Sequence, residues 1–341
     1  MEIINQLKDL CDLRGPSGFE EIPVAKAVEL LKEVMDEAYV DRFGNAVGVL
    51  RCGKKNAKKI LLDAHLDEIG FIVSGYDKGF LRFEGLGGAD PRMLPDREVV
   101  IMTEPPMFGV ITCQPPHVLS AAEMNKAFDR ADLRIDAGLS EGKAEKLIPI
   151  GTPVTFRTEG FKLGKTLYCG KSIDDRGCFM ILLEAAKLLK GKDFNWDVYI
   201  IGSKFEETGG QGALTGTFAI NPDECIAVDV THGKTPDGGR DNSDIAISEG
   251  AAIGIGPNSS KYIAKAMMEI GDVKGIPYQV EVIEGNSWTN GWEMQTTREG
   301  IPTLVMSLPL KYMHTPYEVI DTEDVKTSAE LLAEYILSKE A

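Results

Sequence analysis

Residues 59–67 read KILLDAHLD, a short apolar run that ends in a histidine and an aspartate. Ile60, Leu61 and Leu62 follow one another without polar alternation, the pattern of a strand covered on both faces, as in the parallel sheets of α/β proteins. His65 then falls at the strand's carboxyl end, where open α/β sheets keep their sites. Asp67 is two residues on, so on a continuing strand both side chains project to one face. That makes His65 a candidate metal ligand and Asp67 a candidate to orient it. Taken alone, the pair also fits a solvated strand end.

Working outward, the same texture recurs. Strands are expected at Asp197 to Ser203, Glu224 to Val230, Tyr278 to Glu284 and Thr303 to Leu308. Helical spacing is expected at Cys178 to Leu189, at Lys261 to Glu269 and from Thr322 onward. Ahead of the quoted stretch stand an amphipathic run from Glu2 to Leu13, a break at Gly15 to Gly18, a second helix, and a hairpin around Gly44 and Asn45. Between about Gly70 and Gly164 the chain turns into short β-like runs cut by glycine and proline. The alternation predicts an α/β/α sandwich built from residues 1–69 plus 165–341, with residues 70–164 as a small β-rich insert. A chain of 341 residues with 43% hydrophobic content suits such a pair of units.

Lysine and arginine number 37 against 53 acids, a formal charge of −16. That sign repels phosphate backbones and anionic membrane surfaces, so neither nucleic acid nor a membrane is expected as partner. The acidic excess reads first as plain solubility, with a share that gathers cations at a site as the alternative. With no basic n-region and no long apolar stretch, the expected location is cytoplasmic. Six cysteines lie far apart, without zinc-knuckle or disulfide-scaffold spacing, and are read as reduced and mostly buried. Cys178 fits a core thiol better than a nucleophile, since no histidine lies near it in sequence.

Several further strand ends and helix starts carry acids or histidines. Asp174 and Asp175 open an apolar helix, either as caps or as ligands. Glu206 and Glu207 end a strand side by side before a glycine-rich turn, an arrangement that calls for a cation or a shared proton. Asp229 lies inside the apolar run CIAVDV, where an unpaired charge is costly. His314 follows the run TLVMSL, and His232 is an alternative ligand.

In order and spacing, GPSGFEE (15–21), DRFGN (41–45), DAHLDEIGF (63–71), PPH (115–117), DLRIDAG (132–138), KSIDDRGC (171–178), FEETGGQGA (205–213), AVDVT (227–231), EGIPT (299–303) and MHTPYEVID (313–321) resemble the dinuclear-metal aminopeptidases that assemble into tetrahedral particles. That family includes glutamyl aminopeptidases and members once labelled cellulases. The resemblance implies a metallopeptidase-type sandwich and two divalent ions per subunit, with zinc ahead of cobalt or manganese. His65 and Asp229 would bind the first ion, Glu207 and His314 the second, and Asp174 both. Glu206 would be the general base and Asp67 the acid that fixes His65. The implied substrates are short peptides with a free amino terminus. The β-rich insert, which contains His117, would drive the pairing of subunits into dimers and a hollow dodecamer.

One loop departs from the family pattern. Residues 284–295 read EGNSWTNGWEMQ, with Asn290 where many relatives have an acid and with Trp288 and Trp292 beside it. These three are candidates for contact with substrate, the tryptophans reading equally as packing. A two-metal deacylase or carboxypeptidase, a glycosidase built on Glu206 with Glu207 or Asp175, and a structural metal-binding assembly protein are the competing readings.

Overall fold

A computed structural model describes residues 2–121, 129–236 and 244–340. The helices are α1 Glu2–Cys11, α2 Glu21–Val34, α3 Glu141–Leu147, α4 Ile173–Leu189, α5 Gln211–Ile220, α6 Lys261–Lys274, α7 Gly291–Met294 and α8 Thr322–Leu337. The first strands are β1 Glu37–Val40, β2 Ala46–Leu50 and β3 Lys59–His65, the last being the run quoted at the outset. Then come β4 Gly70–Asp77, β5 Phe80–Leu86, β6 Glu98–Ile101, β7 Met107–Thr112, β8 Arg134–Asp136 and β9 Pro153–Phe156. The remainder are β10 Phe161–Leu163, β11 Leu167–Gly170, β12 Asp197–Ser203, β13 Glu224–His232, β14 Ala251–Ile255, β15 Tyr278–Val282, β16 Thr303–Leu310 and β17 Glu318–Asp321.

Eight strands form the main sheet in the order β1-β2-β12-β3-β13-β16-β14-β15. Its centre is parallel: β12 with β3, β3 with β13, and β13 with β16. The flanks include antiparallel pairs, the expected hairpin β1–β2 on one side and β14 against β16 on the other. The strand alternation explains the two layers of helices. Ile60, Leu62 and Ala64 of β3 enter a core shared with α1, α2, α4, α6 and α8. Leu61, one residue out of phase, enters a second core with Ala213 and Ile220 of α5 and Met294 of α7. Each such fully buried Leu or Ile contributes about 1.5–3 kcal/mol against leaving it in water. The result is the α/β/α sandwich that the sequence predicts.

Strands β4 to β9 close into a separate barrel in the order β4-β5-β8-β7-β6-β9, with its own core of Phe71, Phe83, Val99, Ile111, Ile135 and Phe156. Closure leaves these short strands without free edges. Strands β10, β11 and β17 make a small third sheet.

Two local features differ from the sequence reading. Strand β3 stops at His65, so Asp67 lies in the following loop rather than on the same strand face. Helix α4 begins at Ile173, with Asp174 and Asp175 at non-helical backbone angles, and their carboxylates face His65 and His314 and the His65 backbone N–H rather than capping the helix.

Helix α5 is pressed against the end of β12. A methyl group added at Gly212 would lie 2.3 Å from the Lys204 carbonyl oxygen and 2.5 Å from its nitrogen. Those are backbone atoms that cannot rotate away. Gly212→Ala is therefore expected to cost about 1–3 kcal/mol of stability, read from denaturant unfolding; a change within about 0.5 kcal/mol, typical of a neutral surface site, would contradict the close approach.

Candidate active site

The parallel strands deliver their carboxyl ends to one place. His65, at the end of β3, is 1% exposed. Its Nδ1 faces the loop that follows, 3.3 Å from Asp67 Oδ1 and 3.2 Å from the Asp67 carbonyl. That leaves Nε2 pointing outward, 3.0 Å from Asp174 Oδ1. The other oxygen of Asp174 is 3.2 Å from His314 Nε2, so a single carboxylate stands between two imidazoles. His314 follows β16 in a turn with a positive φ of 60°, and its Nδ1 is 3.1 Å from the Gly88 carbonyl. Glu207 Oε1 is 3.6 Å from His314 Nε2, and Glu206 Oε2 is 3.9 Å from His65 Nε2.

Asp67 does more than the sequence suggests. Its two oxygens accept the backbone N–H groups of Glu206 and Glu207, each at 3.1 Å, so one buried carboxylate sets both the imidazole and the double-glutamate turn. Asp175 is close as well: its Oδ2 accepts the His65 backbone N–H at 3.0 Å. Two sets of donor atoms come within 4.8 Å of one another: His65, Asp174 and Glu207, and His65, Asp175 and Asp229.

Sequence reasoning passed over Glu318. It is 2% exposed on β17. Its Oε2 accepts the backbone N–H groups of Ile173 and Asp174 at 2.8 and 3.1 Å, and its Oε1 accepts that of His314 at 3.0 Å. One side chain thus ties together the backbones that carry Asp174 and His314. The signal was present, an acid ahead of the apolar pair Val319-Ile320, the same oddity that singled out Asp229.

The electrostatics follow from crowding and burial. Burial, with Glu207, Asp67 and Asp174 nearby, pushes Glu206 up to about 8. Burial likewise raises Glu207, Asp175 and Asp229 well above the usual carboxylate range, each with other acids adding to the effect. Burial alone would lower the two imidazoles, but hydrogen bonds to Asp174 and the surrounding carboxylates outweigh it; His65 is raised well above its ordinary value and His314 to about 10. Asp174 and Asp67 are the exceptions: despite burial, hydrogen bonds and charge from His314 and His65 hold Asp174 low, and those from His65 hold Asp67 low. Among the described residues no lysine or arginine lines the cavity in front of this cluster.

Imidazole and carboxylate donors with raised proton affinity and no basic side chain fit divalent cations, whose charge would replace the protons. Glu207, Asp229, His65 and His314, whose proton affinities are raised, must give up the protons they hold to become ligands, whereas Asp174 is already held in its ionised form. Binding of zinc to metal-free protein is therefore expected to release protons at pH 7 and to weaken as the pH falls, measurable by calorimetry in buffers of different ionisation enthalpy; binding without proton release would contradict the account. Glu318→Ala, which touches no donor atom, is expected to weaken zinc binding about 10- to 100-fold in competition with a chelator.

The remaining candidates separate. Asn290 is 2% exposed, and its amide group donates to Asp63 Oδ2 at 2.8 Å and Ser203 Oγ at 2.9 Å. Trp288 lines the cavity and is 85% exposed, so it is not core packing. Trp292 is half-buried and is not among the lining residues. His232 lines the cavity but belongs to neither donor set. His117 is exposed, in a short turn between β7 and β8. Cys178 is fully buried and its thiol is raised, first by burial, so it is a core residue.

Comparison with known proteins gives the class to which this fold and site belong, a hydrolase of peptide bonds. The family model of the M42 glutamyl aminopeptidases matches residues 44–331, and the chain belongs to that family. It is 33% identical to the lysyl aminopeptidase of Pyrococcus furiosus, over 95% of this chain and 94% of the relative. Among solved structures, an aminopeptidase from the archaeon Desulfurococcus kamchatkensis superposes with a TM-score of 0.91 at 32% identity, covering 99% of this chain and 95% of that one. The TET1 peptidase of Pyrococcus horikoshii, described as assembling into a tetrahedron or a large octahedral shell, gives 0.86 at 28% identity, covering 99% and 100%.

Proposed function

We propose that this aminopeptidase is metal-dependent and removes residues one at a time from the amino end of short peptides. The reading rests on one observation: Asp174 lies between His65 and His314, at 3.0 and 3.2 Å, with Glu206 and Glu207 within 4 Å of the same imidazoles. In this reading His65 and Asp229 hold one divalent ion and Glu207 and His314 the other, with Asp174 reaching both. Zinc comes first, with cobalt or manganese compatible with the same donors. Two such ions would lower the pKa of water, polarise the scissile carbonyl and bind the peptide's free α-amine.

The chain's own residues carry out the proton transfers. Glu206 is no ligand in this scheme and faces the same space. Nearby cations favour its ionised form, so it accepts a proton from the attacking water. Water's oxygen forms the new bond to the carbonyl carbon. The proton then passes from Glu206 to the departing amide nitrogen as the C–N bond breaks, giving a free amino acid and a peptide shortened by one. Asp67 keeps His65 and both glutamates in register.

The same proposal includes self-association, with the barrel of residues 70–164 pairing subunits into dimers and a dodecamer. A solved relative, 28% identical over 99% of this chain, is described as a dodecamer. Among the described residues no helix is long and apolar enough to cross a membrane, and a cytoplasmic location completes the reading. Native mass spectrometry is expected to show twelve copies; a monomer would contradict the assembly.

Release of free amino acids from unblocked and acetylated peptides tests the activity. Stepwise release from unblocked peptides, abolished by chelator and reduced about 10²-fold or more in Glu206→Gln, is expected. Cleavage of acetylated peptides, or activity that survives metal removal, would point to a deacylase or a glycosidase instead.

A further inference from the structure

The cavity in front of the cluster has a volume of about 610 Å³, and its lining continues well past the proposed ligands. Two acids in that extension, Glu281 and Glu293, have no role in the chemistry so far described. Glu281 reaches from β15 to Ser307 on β16, whose hydroxyl donates to its Oε2 at 2.9 Å, and to Thr231 on β13, whose hydroxyl donates to its Oε1. Thr231 lies two residues beyond Asp229 on the same strand, and Ser307 is Asp229's register partner, so Glu281 shares the sheet face of the proposed metal site. Glu293 comes from α7 on the other side. A methyl group at Gly210 would lie 3.1 Å from Glu293 Cγ and 3.3 Å from Asn290 Oδ1, which places both beside the glycine-rich turn that carries Glu206 and Glu207.

Three observations give this extension a sign. Among the described residues neither Glu281 nor Glu293 is in an ion pair, and no lysine or arginine among them lines the cavity. Two divalent ions would bring +4 against the five carboxylates of Asp174, Asp175, Asp229, Glu206 and Glu207, so the charges of Glu281 and Glu293 are left over. Neither joins a set of donors close enough to hold a further metal ion. Separately, Asn290 is buried, and its amide nitrogen is held by Asp63 and Ser203, which turns the carbonyl oxygen toward Gly210 and fixes this wall of the cavity. At the mouth, Trp288 adds an exposed aromatic face, a surface on which cations rest favourably.

Resting on the aminopeptidase reading above, we propose that this part of the cavity receives the side chain of the substrate's first residue and selects a cationic one, lysine or arginine. Glu281 and Glu293 are the specificity-determining carboxylates. The same two acids repel a glutamate or aspartate at that position, so selection works by rejection as well as attraction. This chain therefore departs from the glutamyl preference in its family's description.

Binding of amino-acid amides to the metal-loaded Glu206→Gln protein tests the selection without requiring turnover. The probes are lysinamide, norleucinamide, which keeps the length and removes the charge, and the α-amide of glutamate. Lysinamide is expected to bind at least about tenfold tighter than norleucinamide, with the glutamate amide weakest. Adding Glu281→Gln or Glu293→Gln should each reduce that ratio several-fold, and Glu293→Lys should move the preference toward glutamate. Equal or tighter binding of norleucinamide or the glutamate amide by the protein with both acids intact would overturn the proposal. Peptides beginning with the same residues, tested on the wild-type enzyme, should follow the same ranking in kcat/KM; a reversed ranking would also overturn it. Preferred binding of lysinamide by a protein that cuts no peptide would sustain the cation selectivity and place the failure in the aminopeptidase reading.

Discussion

The structure depends on a concentration of buried negative charge that no lysine or arginine among the described residues faces across the cavity. Asp174, Asp175, Asp229, Glu206 and Glu207 meet at the ends of parallel strands, with two imidazoles as the nearest cationic groups. Such a cluster is unfavourable by itself, as its raised proton affinities express. It is tolerated where protons or metal ions share the space, and the fold around it holds the donors in place against their mutual repulsion.

That holding is done from behind the cluster by groups that never face the cavity. Asp67 collects the amides of Glu206 and Glu207, and Glu318 collects those of Ile173, Asp174 and His314. The basic residues lie one layer further back. Lys171 pairs with Glu68 at 2.7 Å, and the fully buried Arg176 donates to the carbonyls of Leu66, Leu10, Cys11 and Leu13, tying the end of α1 to the loop beyond β3. Cations thus brace the scaffold while the cavity itself remains acidic.

Much of this was legible in the sequence because strand ends announce themselves where an unbroken apolar run meets a polar residue. Lys59 to His65 and Asp197 to Ser203 run as the residues imply, and α8 starts at the expected Thr322. What escaped had no such contrast. Strand β14 is AAIGI, small and glycine-containing, and α5 is QGALTGTFAI, with two glycines inside a helix; both owe their form to the surfaces they pack on. Local sequence gave no hint that Asp67 would leave the strand to meet the double-glutamate turn, since that contact joins segments 139 and 140 residues apart. Glu318 stood out as an acid ahead of an apolar pair, but its role was not legible because its partners at the start of α4 lie 145 and 144 residues away.

The central claim is that Asp174 stands between two divalent ions, and anomalous diffraction from crystals of the zinc-loaded protein tests it most directly. The account predicts two peaks flanking the Asp174 carboxylate, one beside His65 and Asp229 and the other beside Glu207 and His314. A single peak, or metal bound away from Asp174, would contradict it.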